Sequence, residues 1–237
     1  MKIREIIPKV LAALVLTIFV AQPASALSQK EIIERVEKRF ASIRSFTANF
    51  QQNFYNATMD EVEKSSGTVK LKKPLKMVWN YEKPETQLLV ADGKKIYFYV
   101  PADRQVIVES LKNILGASSP LLFLAGEKRL DELFTISLEN GLSDGLAGDE
   151  NKDKIHYVEL NLEPKEKSVS VTRMVIRADA KDYTIKSFTL YDWTGNHTEV
   201  VFEDMKINGN MDDGTFVFKR PKGVEMIESP SLDLGEQ

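Results

Sequence analysis

The residues that could move a proton or hold a metal ion in this chain are few. It contains two histidines. His156 falls in an alternating apolar run, and His197 follows a Gly195-Asn196 turn with Asp192 and Glu199 close on either side. Two carboxylates around an imidazole suit general acid-base chemistry. Polar residues alternating along the wet side of a hairpin give the same spacing. Neither histidine has another at metal-ligand spacing, and the chain contains no G-x-S-x-G elbow, P-loop or H-E-x-x-H run. The absence of cysteine excludes thiol chemistry, disulfide exchange and lipid attachment at an N-terminal cysteine. The expectation is a protein that binds without catalysing, with no metal and no cofactor.

The first 26 residues read as an export signal. Lys2, Arg4 and Lys9 precede an apolar run from Val10 to Val20, interrupted only by Thr17, and Ala24-Ser25-Ala26 supplies small residues for cleavage. That run falls well short of the roughly 20 residues that span a bilayer. Removal of residues 1–26 takes away a net charge of +2, so the formal charge goes from −3 to about −5 and disfavours a nucleic-acid partner. Residues 27–237 are expected to form a single exported domain.

The elements of that domain are legible from apolar spacing. Ser28-x-x-Glu31 is a capping box ahead of Ile32, Ile33, Val36, Phe40 and Ile43, which predicts a first helix. From Ser45 the period becomes two: Phe46, Ala48, Phe50 and Phe54 share one face while Thr47, Asn49, Gln51 and Asn53 share the other. Further strands are predicted at Gly67–Leu71, Leu75–Tyr81, Thr86–Ala91, Lys95–Val100 and Gln105–Glu109, with an Asp92-Gly93 turn between the third and fourth of these segments. Ser119, Pro120 and Gly126 bracket a second short helix. More strands follow at Leu133–Leu138, Ile155–Leu162, Val169–Ala178, Ile185–Asp192, Thr198–Met205 and Thr215–Phe218. A mobile hairpin tip is expected at Asn140–Asp153 and a loose tail over Glu228–Gln237. The fold class is therefore mainly β: about ten strands in one antiparallel sheet that curls to protect its core, leaving a concave side capped by two helices. Such a layout makes a pocket.

Several segments, in order, resemble the LolA family of periplasmic outer-membrane lipoprotein carriers. They are SFTANFQQ at 45–52, GTVKLKKPLKMVWNYEKP at 67–84, QLLVADGKKIYFYVPADRQV at 87–106, GASSPLLFLAG at 116–126, DWTGNHTEVVFEDMKIN at 192–208 and TFVFKRPKGVEM at 215–226. The resemblance implies an incomplete, unclosed β-barrel with short helices as a lid and an apolar hollow for acyl chains. It further implies acylated lipoproteins as cargo, an inner-membrane ABC transporter as donor and an outer-membrane receptor as acceptor. A receptor of similar fold is itself anchored through an acylated cysteine, which this chain lacks. A carrier that docks on two membranes in turn is expected to be a monomer.

By the same resemblance, Phe50, Met77 and Trp79 face the hollow, while Phe40 and Ile43 on the first helix and Leu121, Leu124 and Ala125 on the second match lid positions. Ordinary core packing accounts for apolar residues at these periods equally well. Lys73 stands before Pro74, where proteobacterial members typically carry an arginine that hydrogen-bonds lid carbonyls. An ammonium lacks the planar fork of a guanidinium, so a Lys73 latch is looser. The other reading of Lys73 is a solvated strand lysine like Lys70, Lys72 and Lys76. Two rival functions stay open: a stand-alone lipid- or glycolipid-binding or sensing protein of the same fold, and a hydrolase of acylated material.

Overall fold

The computed structural model describes residues 27–114, 128–144, 156–166 and 171–228. The expected leader over residues 1–26 lies outside them, as does the second lid helix with Leu121, Leu124 and Ala125. The first helix, α1, spans Gln29–Ser42. Its capping box is formed: Ser28 Oγ accepts from Glu31 N at 3.3 Å, and Ser28 N donates to the Glu31 carboxylate at 2.8 Å. Two single-turn helices, α2 (Leu111–Ile114) and α3 (Leu130–Leu133), were not foreseen in the apolar spacing.

The strands are β1 (Ser45–Asn56), β2 (Glu61–Lys72), β3 (Lys76–Lys83), β4 (Gln87–Asp92), β5 (Lys95–Val100) and β6 (Gln105–Ser110), then β7 (Phe134–Asp144), β8 (His156–Pro164), β9 (Arg173–Asp179), β10 (Ile185–Tyr191), β11 (His197–Ile207) and β12 (Glu225–Glu228). They make one 12-stranded sheet in the order β12-β6-β5-β4-β3-β2-β1-β11-β10-β9-β8-β7, so β12 and β7 are free ends and the barrel is unclosed. Neighbouring strands are antiparallel except β12, which runs parallel to β6.

Four details differ from the sequence expectation. Thr215–Phe218 is not a strand: Asp213–Phe216 is a 3-10 turn, because Asp212 accepts from Gly214 N at 2.7 Å and the Phe216 side chain drops into the core. The parallel strand β12 lies where no strand was expected, its four residues exposed and without alternation. β2 begins at Glu61, well before Gly67, since the polar stretch Glu61–Ser66 is held by pairing with β1 and carries no apolar period of its own. β7 continues through Asp144 past an irregularity between Leu138 and Leu142, into what read as loop.

Register divides the sheet into an inner and an outer face. Phe46, Ala48 and Phe50 are level with Leu71, Val69 and Gly67 of β2, and those with Met77, Trp79 and Tyr81 of β3. Over β8, β9 and β10 this inner face is roofed by α1: Val36 and Phe40 pack with Leu130, Leu133, Leu160, Leu162, Met174 and Ile176. The outer face of the same strands is polar, with Arg177 paired to Glu159 and Glu199. On β5 and β6 the arrangement inverts. There the outer residues Tyr97, Tyr99, Val106 and Val108 are covered by Phe218 and Val224 of the C-terminal segment, with Phe218 stacked on Tyr97 at 5.1 Å. Asp213 clamps that segment to Lys72 at 2.6 Å and to Lys76 at 3.0 Å.

Gly67 sits where β1, β2 and β3 meet. Beside it the Phe50 ring meets both Trp79 and Tyr81 edge-on, at 4.9 Å and 5.0 Å. A Cβ at this position would lie 1.9 Å from the Asn80 carbonyl oxygen, which belongs to the ladder and cannot yield. Gly67→Ala is therefore expected to cost about 2–4 kcal/mol through forced separation of β2 and β3. Urea denaturation should show a lowered midpoint, and a midpoint equal to wild type would disprove the close approach.

Candidate functional site

Residues on β3 to β6 that face inward form a track rather than a core. Trp79 is level with Leu89 on β4, Leu89 with Phe98 on β5, Phe98 with Ile107 on β6, and Ile107 with Ile227 on β12. Four strand spacings of about 4.8 Å give this row a length of about 19 Å. One leaflet of a bilayer's hydrocarbon, about 15 Å, is of the same order. Along the row burial falls from Val69, 1% exposed on β2, through half-buried Trp79, Leu89 and Phe98, to Ile107 at 44%. The long helix α1 packs over β8 to β10 instead, and the one-turn α2 abuts β5 and β6 at the end of this half.

At its buried end the track meets an aromatic seam. Phe50 touches Trp79 and Tyr81, Phe202 lies 6.1 Å from Trp79, and Phe46 and Phe188 close on Phe202 at 5.6 and 5.9 Å. Edge-on geometry suits such rings. The Tyr81 hydroxyl donates to Gln52 Oε1 at 3.1 Å, and burial raises its pKa above the ordinary phenol value. A cleft of about 580 Å³ opens beside it, lined by Phe54, Tyr81, Leu89 and Phe98 with Glu63, Lys83 and Glu85 at the margin.

The expected site residues fall into three groups. Met77 and Trp79 lie half-buried on the inner face, Met77 one row over and level with Ala91. Phe50, Phe40 and Ile43 are buried, so each packs in the core in this arrangement. Leu121, Leu124 and Ala125 lie outside the described residues. Sequence reasoning missed Tyr81, Leu89, Ile96, Phe98, Ile107 and Ile227. The signal was present in Lys95–Val100, where both faces are apolar, but a period of two cannot say which face stays open.

Lys73 occupies the turn between β2 and β3, beside the last turn of α1. Its Nζ donates to the Phe40 carbonyl at 2.7 Å and stands 3.7 Å from the centre of the Phe40 ring. A cation at a helix C-terminus meets the negative end of the helix dipole, and the ring face adds cation–π attraction. A cleft of about 470 Å³ adjoins the contact, with Ala41, Arg129 and Leu130 in its wall. α1 has further ties: Arg39 donates to Thr184 Oγ1 at 2.8 Å, and Glu37 accepts from Arg129 at 2.7 Å.

The acid-base grouping around His197 is dispersed. Asp192 spends its carboxylate on Thr194 and Asn196 within the turn, and Glu199 pairs with Arg177. The His197 ring lies between Tyr55 at 4.8 Å and Tyr191 at 5.2 Å. Among the described residues no three metal-ligating side chains converge.

Fold and site define an open-sheet binding protein with an apolar inner wall. Residues 41–219 match the family model described as outer membrane lipoprotein carrier protein LolA, and the chain belongs to the LolA family, a family of carriers and not of enzymes. The outer-membrane lipoprotein carrier protein of Azotobacter vinelandii is 28% identical over 211 residues, 89% of this chain and 93% of its own. That of Legionella pneumophila strain Corby is 31% identical over 195 residues, covering 82% and 89%. Among solved structures, an uncharacterized conserved protein from Thermus thermophilus shares the fold with a TM-score of 0.53 at 15% identity, over 84% of this chain and 98% of that one.

Burial favours the neutral amine and pulls the Lys73 pKa down from 10.5 to about 8. The folded chain therefore sheds this proton before the unfolded chain does. Between about pH 8 and 10.5 the unfolded state holds the extra proton, so stability rises with pH across that window; below pH 8 the cost of the buried charge is borne in full. The stability difference between wild type and Lys73→Met should shift in favour of wild type as pH rises through the window. A flat difference, or a Lys73 methyl-label NMR titration centred at the ordinary lysine value, would contradict the burial.

Proposed function

We propose that this protein carries lipoproteins across the periplasm, sheltering their acyl chains along the inward row from Trp79 to Ile227. The observation that supports this reading is the row itself: large apolar side chains in unbroken register, half-buried at Trp79, Leu89 and Phe98 and exposed at Ile107 and Ile227, while α1 packs over the other half of the sheet. Each methylene taken from water contributes about 0.8 kcal/mol, so even a partly enclosed chain is held firmly. Met77 widens the wall beside Trp79. The relatives named as outer-membrane lipoprotein carriers point to the same cargo. On this reading the donor is an inner-membrane ABC transporter and the acceptor an outer-membrane receptor. The carrier acts as a monomer released from its membrane by cleavage after Ala26.

Lys73 acts in this scheme as the latch of α1. Its hydrogen bond to Phe40 O ties the roof to the strand pair that begins the track. Phe40, Ile43 and Phe50 are buried while the roof is down, and they become cargo contacts when α1 lifts. The contact is a single donor on a flexible stem, in keeping with a roof that must open for each load.

Mass spectrometry of what co-purifies with the protein from a periplasm depleted of the outer-membrane receptor tests the carrier reading. Acylated lipoproteins are the expected catch, and free lipid alone would move the function to lipid binding or sensing. Met77→Glu and Ile107→Glu each place a carboxylate on the wall and should weaken cargo retention by roughly tenfold or more. Ile107→Glu should do so with an unchanged melting temperature, because that side chain is already exposed. Retention equal to wild type in both variants would refute the track. Lys73→Leu should alter the rate of release to the receptor, and an unaltered rate would make Lys73 a structural residue only.

A further inference from the structure

Two neighbouring turns at one end of the sheet carry large apolar side chains that the fold does not use. Trp193, in the β10–β11 turn, is 71% exposed, and Met59, in the β1–β2 turn, is 58% exposed. The turns adjoin: Ala57 N donates to Asn196 Oδ1 at 2.9 Å, and β1 pairs with β11 as far as Tyr55 and His197. Behind them on the outer face stands one row across five strands, Val62, Tyr55, His197, Tyr191 and Arg173. Its three rings stack at 4.8 Å and 5.2 Å, and the Arg173 guanidinium lies 3.8 Å from the centre of the Tyr191 ring.

We infer that this double turn is a membrane-touching tip that enters the lipid–water interface through Trp193 and Met59. Three observations select lipid over a protein surface. The leading residues, Ala57, Thr58 and Met59 in one turn and Trp193, Thr194 and Gly195 in the other, carry no formal charge. The acids at their bases are engaged, Asp192 by Thr194 and Asn196 and Asp60 by the Tyr55 hydroxyl. Backbone amides at the tip already have acceptors: Thr58 N and Met59 N on Asn56 Oδ1, Thr194 N and Asn196 N on Asp192 Oδ1, and Gly195 N on Asp192 O. A segment with most of its amides already bonded internally enters the interface at a lower desolvation cost than an open turn. The aromatic row behind, with hydroxyl and imidazole groups on its rings, is of the kind that sits at headgroup level. Two apolar side chains give weak, reversible contact, which suits a molecule that must leave each membrane it visits.

The chain has two tryptophans, so Trp79→Phe leaves Trp193 as the sole reporter and separates the tip from the inner track. The chain from Leu27 onward, which contains every described residue, is mixed with protein-free vesicles of phosphatidylethanolamine and phosphatidylglycerol. Trp193 emission should shift to the blue, and co-sedimentation with the vesicles should fall roughly tenfold in Met59→Ser. Should Trp79→Phe fold poorly, sedimentation of the otherwise intact chain against Trp193→Ser reads the same quantity without a fluorophore. Absence of vesicle binding, or binding that is equal to wild type in Met59→Ser and Trp193→Ser, would overturn the inference. A shift seen only with membrane-protein extracts, and not with protein-free vesicles, would overturn it too, giving the tip to a protein partner.

Discussion

Among the described residues the one long helix, α1, is too small to roof this sheet, and much of their packing follows from that mismatch. Fourteen residues of α1 extend about 21 Å, whereas twelve strands at about 4.8 Å spacing make a sheet on the order of 50 Å wide. α1 therefore covers one half, packing Val36 and Phe40 onto β8, β9 and β10. On β3 to β6 the inward residues Trp79, Leu89 and Phe98 are left half-buried. These strands are nevertheless held in place from behind, because Phe216, Phe218 and Val224 seal their outer face. One half of the sheet is thus stabilised from the inside and the other from the outside. This is how an apolar inner wall can stay open without the strands that form it coming apart.

The seam between the halves carries the mechanical burden. Phe50, Trp79, Tyr81 and Phe202 interlock there, with Gly67 letting the β3 backbone approach β2 closely. Lys73 bridges the same seam from the side, from the β2–β3 turn to the last turn of α1. Two effects oppose each other in that contact. A hydrogen bond to a charged group stabilises by about 1.5–3 kcal/mol, but withdrawal of the ammonium from water outweighs what the charge gains, as the pKa depressed to about 8 records. A guanidinium in the same place would keep its charge and offer a fork of donors. With lysine the tie between roof and sheet is closer to balance, and opening α1 demands less.

Much of this was legible in the residues. The Ser28 capping box fixed the start of α1, and the alternation from Ser45 placed Phe46, Ala48 and Phe50 on the core face, because both signals are local. The sides of Lys95–Val100 were not legible. Tyr97 and Tyr99 read as apolar just as Ile96 and Phe98 do, and only the C-terminal segment decides that it is the tyrosines' face that packs against Phe218 and Val224. β12 was equally hidden: its pairing to β6 is a long-range event with no alternation in Glu225–Glu228 to announce it. Thr215–Phe218 misled in the opposite direction, its alternating apolar residues belonging to a 3-10 turn and to the cover over Tyr97. That Met77 and Trp79 share a face follows from their spacing of two, while the row that runs on from Trp79 needed the register of four further strands.

The rows on either side of the track give it a direction. The row of Met77 continues through Ala91 and Ile96 and ends on Glu109. On the other side Val100 is level with Gln105, and Gln105 with Glu225. Only the row of Trp79 remains apolar to the free edge, at Ile227. Polar residues on both flanks limit the exposed apolar surface to a strip, which restrains the aggregation a broad bare patch would invite. Burial of the wall increases from Ile107 toward Val69, so each step of an apolar chain inward removes more of it from water. On the proposed reading, then, an acyl chain enters across β12, slides toward the aromatic seam, and meets α1 last. The roof needs to lift only for cargo longer than the open strip, and the weak lysine tie at Phe40 stands at that boundary.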